Sequence, residues 1–342
     1  MKALLYETFG GDVRVADVPD PEVPAGGALV RVTASGLCRS DWHAWAGHDD
    51  SVHLPHVPGH EFAGEIVAVG DGVRDWRVGD RVTTPFVNGC GRCVWCLSGQ
   101  AQVCPDQTQP GFTHWGSHAE LVAVRAADLN LVAVPDAIGD DAAASLGCRF
   151  ATAYRAVTAR AGIRPGEWLA VFGAGGVGLS ALQIAAGLGA RVIAVDPSPD
   201  ARALAAALGA EVVLDASGDV PEAIADATGG GAHATVDAVG SAQTASTAIL
   251  SLRRRGRHVQ VGLLKDPATA IPLGRVLAWE LDVLGSHGMP AADYPALLDL
   301  VGRGVVDPER LLSRTVDLDE AAALLPASGM PTAGITVLHP AG

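Results

Sequence analysis

The sequence predicts a two-part α/β protein, with a β-rich first part and a doubly wound parallel sheet in the second. Three observations carry that reading. At 342 residues the chain is long for a single core. Its first 148 or so residues break into short β-rich pieces punctuated by Gly and Pro. From about residue 150 apolar strands alternate with alanine-rich helical stretches.

In the first part the strand candidates are Ala28–Val32, Phe62–Val69, Asp80–Thr84 and Ala119–Val124, separated by turn signals such as Pro58-Gly59 and Asp71-Gly72. In the second, strands are expected at Trp168–Phe172, Arg191–Val195, Glu211–Leu214, Ala234–Val236, His258–Val261 and Leu281–Leu284. Helices are expected at Val177–Leu188, Asp200–Leu208, Pro221–Ala227 and Ala242–Leu252, with Gly189 and Gly209 placed as helix-ending glycines. Strands without polar alternation are buried on both faces, as in a parallel sheet. Beyond residue 285 a helix (Ala292–Gly302), a short helix (Leu318–Leu325) and a last strand (Gly334–Leu338) are expected to return to the first domain. The expected division is therefore residues 1–149 with 286–342, against 150–285.

Composition excludes several classes of function. The formal charge is −14, from 38 acidic and 24 basic residues, a field that opposes nucleic acid and anionic membranes as partners. The cluster Arg253-Arg254-Arg255-Gly256-Arg257 reads as a solvated helix-to-strand loop. No apolar run approaches the roughly 18 residues of a membrane span, and Met1–Glu7 does not read as a signal peptide. A cytoplasmic location is expected.

Gly173-Ala174-Gly175-Gly176-Val177-Gly178 matches G-x-G-x-x-G. With 42 glycines in the chain the match alone is weak, but a strand precedes it and a helix follows. Gly173 permits the tight turn, Gly175 lets the backbone approach a pyrophosphate, and Gly178 allows close helix–strand packing. Asp196 ends the next strand, where a carboxylate binds ribose hydroxyls and repels a 2′-phosphate. NAD is therefore favoured. Arg202 nearby keeps NADP open, and Asp196 could instead simply cap the next helix.

Six cysteines lie at 38, 90, 93, 96, 104 and 148. Cys90, Cys93, Cys96 and Cys104 form C-x2-C-x2-C-x7-C, which suits a closed tetrahedral zinc site of the structural kind. An iron–sulfur reading is disfavoured by the long last gap and the lack of a second cysteine set. Gly36-Leu37-Cys38-Arg39-Ser40-Asp41-Trp42-His43 and Gly59-His60-Glu61 each set a soft or imidazole ligand among carboxylates. Cys38, His60 and Cys148 would leave zinc a fourth position for water or substrate, the catalytic pattern. Taken singly, each could be a small buried cysteine or a core histidine.

These motifs, with Leu146-Gly147-Cys148, occur in the order found in the zinc-containing alcohol dehydrogenases of the medium-chain dehydrogenase/reductase superfamily, which the whole chain resembles. The resemblance implies a GroES-like catalytic domain beside a Rossmann NAD-binding domain, with the active site in the cleft between them. It implies two zinc ions per chain, NAD, and reversible oxidation of a small-molecule alcohol to an aldehyde or ketone by a homotetramer or homodimer. Cys38, His60 and Cys148 hold the catalytic zinc, Asp41 orients His60, and Glu61 is a carboxylate able to approach the metal. Ser40 and His43 resemble a proton relay, Arg39 a pyrophosphate contact, and Trp45 and Phe86 substrate-pocket walls. A polyol or amino-alcohol dehydrogenase of the same superfamily is the alternative. Cys148 counts against it, since those enzymes tend to use a carboxylate as third ligand. Arg149 departs from the small residue common after that cysteine. It is expected to point away into an ordinary salt bridge, rather than to meet an anionic group of substrate or cofactor.

Overall fold

The computed structural model describes residues 1–264, 266, 268–327 and 334–341. It resolves into two compact units, one of Met1–Ala151, Gly288–Arg303 and Pro308–Gly342, the other of Thr152–His287 and Gly304–Asp307.

The first unit is built on a seven-stranded sheet. Its central strand, Ala28–Leu37, pairs antiparallel with Phe62–Val69, Leu121–Val124 and Ile335–Leu338. Val30, Val32, Phe62, Ile66, Val82 and Val122 form the buried cluster on one face. That central strand runs five residues past the expected end at Val32. Ser35, Gly36 and Leu37 find partners in Leu338, Val337 and Thr336, three hundred residues away, so no local pattern could mark them. The extension delivers Cys38 directly to the N-cap of the helix Arg39–Trp45.

Residues 140–160 form a nearly continuous helical run: Asp140–Ser145, a wide turn Leu146–Phe150, Ala151–Arg155 and a second wide turn Ala156–Arg160. Cys148 therefore lies within helical structure. Wide π-type turns interrupt the i→i−4 pattern and occur frequently at functional sites. Here one redirects the segment that carries Cys148 and Arg149.

The second unit holds a six-stranded parallel sheet. Its order is Val212–Leu214, Arg191–Val195, Trp168–Phe172, Ala232–Asp237, Leu252–Gln260 and Asp282–Gly285. Strand succession reverses between Trp168–Phe172 and Ala232–Asp237, the switch point at whose carboxyl ends such sheets bind ligands. Trp168, Ala170, Phe172, Ile193 and Val195 pack with Ile224 and Ala248 from the covering helices. The arginine cluster is not a loop. It belongs to Leu252–Gln260, where the register against the neighbouring strand jumps from Ala232↔Leu252 to Ala234↔Arg257, so the intervening arginines bulge out exposed. A helix at Leu273–Trp279, with no buried residue, lies outside the expected elements.

Candidate active site and metal centres

Cys38, His60 and Cys148 arrive from three elements and bring their ligand atoms within 4.8 Å of one another. Cys38 ends the central strand. His60 follows Gly59, whose φ of +106° suits glycine and where a Cβ would strike the His118 backbone nitrogen. Cys148 sits in the wide helical turn.

Asp41 is fully buried and organises two of these ligands. Its Oδ1 accepts from His60 Nδ1 at 2.8 Å and from the Gly59 N–H at 3.1 Å, and its Oδ2 accepts from the Cys38 N–H at 2.8 Å. Burial alone would raise its pKa, but His60 and His118 outweigh that and hold it below the usual carboxylate range. With Nδ1 engaged, His60 keeps Nε2 buried and without a hydrogen-bond partner. A buried orphan imidazole nitrogen beside two thiols is the donor set that zinc accepts, so the residues fit the metal. The Cys38 thiol is pulled well below its ordinary pKa, first by a hydrogen bond from Cys148 and further by Arg149 and His60.

Glu61 and Arg149 form an ion pair beside this cluster, Nη1 to Oε2 at 2.7 Å, with both side chains buried. The Arg149 N–H also donates to Glu61 Oε1 at 2.8 Å, and Nη2 donates to the Leu37 carbonyl at 2.6 Å. Burial pushes the Glu61 pKa up to about 7 against the opposing pull of Arg149. Arg149 therefore does not point away from the site. The carboxylate next to His60 supplies its buried partner.

Ser40 and His43 occupy positions i and i+3 of the helix Arg39–Trp45, hence one face of it. His43 Nδ1 lies 3.0 Å from His48 Nδ1, a neighbour the sequence did not suggest. Arg39 is exposed at the start of the same helix. Phe86 meets the His60 ring edge-on at 6.1 Å between centroids. Trp45 packs on a cluster containing Tyr6 and Phe112 and donates its indole N–H to the Gly11 carbonyl at 2.8 Å.

Sequence reasoning missed Phe112, whose ring lies 5.2 Å from that of His60. It also missed His118, buried with Nε2 4.0 Å from the Asp41 carboxylate, and Tyr294, whose hydroxyl donates to the Leu146 carbonyl at 3.0 Å and so braces the Cys148 turn. None stands in a local motif, and each reaches the site through tertiary packing.

Cys90, Cys93, Cys96 and Cys104 likewise group their sulfurs within 4.8 Å. Cys93 Sγ is 3.5 Å from that of Cys96 and 3.7 Å from that of Cys104, too far for disulfides. Backbone N–H groups of Cys96 and Asp106 donate to the Cys93 and Cys104 sulfurs at 3.4 and 3.3 Å. Four converging sulfurs with backbone donors aimed at them suit a closed tetrahedral zinc site.

In the second unit Gly173 turns with φ of +90°. A Cβ on Gly178 would collide with the Gly173 carbonyl oxygen, while one on Gly175 would meet open space. Helix and strand thus pack through Gly178, and the backbone at Gly175 is open to an approaching anion. The helix begins at Gly176, one residue before the expected Val177. Asp196 accepts from the Ala174 N–H at 2.7 Å and the Ser198 N–H at 2.8 Å. The cap of the next helix is Ser198, which accepts from the Ala201 N–H, not Asp196. Each Asp196 oxygen keeps a further lone pair for a ligand hydroxyl. Arg202 is committed to Asp215 at 2.9 Å and to the Asp196 carbonyl at 2.7 Å.

Residues 24–136 match the family model of the alcohol dehydrogenase GroES-like domain, and residues 176–303 that of the zinc-binding dehydrogenase. An alcohol dehydrogenase of Geobacillus stearothermophilus is 39% identical over 310 residues, 90% of each chain. The solved structure of alcohol dehydrogenase TADH from Thermus sp. ATN1 aligns with a TM-score of 0.92 at 32% identity, covering 99% of both chains. That of an NAD-dependent alcohol dehydrogenase aligns with a TM-score of 0.88 at 31% identity, covering 99% of this chain and 100% of the other.

Proposed function

Because the chain belongs to the zinc-containing alcohol dehydrogenases of the medium-chain dehydrogenase/reductase superfamily and exchanges hydride between an alcohol and NAD, we propose the following division of labour among its residues. Cys38, His60 and Cys148 hold one zinc at the reacting centre, and Cys90, Cys93, Cys96 and Cys104 hold a second in a structural role. The observation that carries this is the buried His60 ring, tied at Nδ1 to Asp41 and unpartnered at Nε2 beside two sulfurs. Bound there, zinc supplies a Lewis acid that makes an alcohol hydroxyl acidic near neutral pH, and NAD supplies the hydride acceptor.

The protein's own groups do the rest. Asp41 fixes the tautomer and tilt of His60. Ser40 receives the proton of the alcohol and His43 passes it outward, with His48 as the next imidazole. Glu61 stays clamped by Arg149, so any approach to the metal requires release of that pair. Gly173, Gly175, Gly176, Val177 and Gly178 seat the pyrophosphate with help from Arg39, and Asp196 takes the ribose hydroxyls. Phe86 and Phe112 wall the substrate beside His60, with Trp45 packed behind Phe112. On the strength of kinship alone, the chain works in the cytoplasm as a homotetramer or homodimer.

Aromatic walls offer polyol hydroxyls no hydrogen-bond partner, and each unsatisfied one costs about 1–3 kcal/mol. A panel of primary, secondary, aromatic and polyol alcohols, followed by NADH formation, should therefore show kcat/KM for simple apolar alcohols at least ~10-fold above that for polyols. Preferential turnover of polyols would overturn the assignment of Phe86 and Phe112.

Asp196 sets the coenzyme choice. Wild type should favour NAD over NADP by about tenfold or more in kcat/KM, some 1.4 kcal/mol. Asp196→Gly should narrow the gap chiefly by weakening NAD, and equal use of NADP by the unaltered enzyme refutes the role.

A further inference from the structure

The guanidinium of Arg149 reaches the neighbours of all three ligands in the cysteine–histidine cluster. It stands next to Cys148 in the chain. Its Nη2 donates at 2.6 Å to the carbonyl of Leu37, the residue before Cys38. Its Nη1 lies 2.7 Å from Oε2 of Glu61, the residue after His60, while its backbone N–H holds Oε1 of the same carboxylate at 2.8 Å. These three segments come from a strand end, a loop and a wide helical turn, and they are otherwise far apart in sequence.

Placing this pair inside the protein has a cost. Arg149 is 5% exposed and Glu61 0%, and each buried ion costs several kcal/mol that pairing only partly returns. A well-packed apolar pair of similar volume is often as stable or more so. Stability alone therefore does not account for these residues, whereas a planar fork able to grip two partners in fixed geometry accounts for an arginine here.

We propose that Arg149 is a positioning residue of the catalytic metal site: by tying Leu37 and Glu61 to its own turn, it sets the spacing of the Cys38, His60 and Cys148 donors before metal arrives. This rests on those three residues holding the metal. The guanidinium hydrogen-bonds the Leu37 carbonyl and lies in ion-pair contact with Glu61, so these contacts are with the segments that carry the ligands. Supporting groups around a metal site typically contribute about 10–100-fold in metal affinity.

The test is a Co2+ titration of the metal-depleted full chain, read by the visible absorption of the thiolate-bound ion. Cys38→Ser identifies which absorption belongs to the catalytic cluster, and the four-cysteine site serves as internal reference. Arg149→Met/Glu61→Gln removes both charges together, leaving no lone buried ion. It should bind Co2+ at the Cys38-dependent site about 10–100-fold more weakly than wild type, with the four-cysteine site unchanged. Arg149→Lys, which keeps the charge but loses the fork, should weaken the same site and serves if the double variant does not fold. Affinity within about twofold of wild type in either folded variant overturns the proposal, because a merely structural pair would alter melting and leave affinity alone. A wild-type protein with no Cys38-dependent signal overturns the metal assignment itself, and the proposal with it.

Discussion

Cys93→Ser should cost the protein one zinc per chain and a large part of its thermal stability. The four sulfurs of its site leave no open position, and the sequence around them is short of apolar anchoring, with Val94 and Leu97 71% and 75% exposed. The lobe therefore depends on its metal for order. Structural zinc contributes about 10–16 kcal/mol apparent in isolated zinc peptides. Even a loss of about 4 kcal/mol here would lower Tm by roughly 8–16 °C, at some 2–4 °C per kcal/mol for a domain of this size. Cys38→Ser should behave differently. Its site keeps a position free for chemistry and is backed by the core of the sheet, so that variant should melt within about 3 °C of wild type and retain under about 1% of kcat/KM. Elemental analysis and calorimetry on the two variants decide the matter. One zinc per wild-type chain, iron in its place, or identical melting of the two variants defeats the division of roles.

Ser40→Ala should lower kcat by about 100-fold or more, the usual magnitude for a group that moves a proton in the transition state. Ser40 lies two residues from Cys38 and shares a helical face with His43. His43→Ala should lose less, since water, buffer or His48, whose Nδ1 lies 3.0 Å from that of His43, can carry the proton onward. Added imidazole should restore part of the loss in His43→Ala and none in Ser40→Ala. Rates across about pH 6 to 10 make the comparison, and near-wild-type turnover by Ser40→Ala ends the relay assignment.

What could be read from the sequence divides along a physical line. The six strands of the parallel sheet were legible because strands buried on both faces are continuous apolar runs, and glycines punctuate the helices between them. That the cysteines and His60 would gather into two groups was legible because C-x2-C spacings, and a thiol or imidazole set among carboxylates, have few other uses. The reach of Arg149 was not, because whether a guanidinium turns outward or into a core depends on a carboxylate eighty-eight residues away. The second half of the central strand was hidden for the same reason, its partner being the strand Ile335–Leu338 some three hundred residues away. The arginine cluster misled through composition: four charges suggest a loop, yet a bulge lets a strand carry Arg253, Arg254 and Arg255 outward while Arg257 stays in the ladder.

The bracing of the Cys148 turn by Tyr294 bears on how the protein is made. The two residues that form that bond, Tyr294 and Leu146, are 148 positions apart. At ribosomal speeds of about 5–20 residues per second, the cysteine turn emerges roughly 7–30 s before the tyrosine that steadies it. The strand Ile335–Leu338, which secures Ser35 to Leu37 beside Cys38, emerges later still. The unit that gathers the six cysteines thus begins first on the ribosome and finishes last, after the whole parallel-sheet unit between its pieces has been synthesised. A nascent chain spends that interval with exposed thiols and an unfinished sheet edge, the stretch of its biogenesis in which chaperones and metal supply matter most.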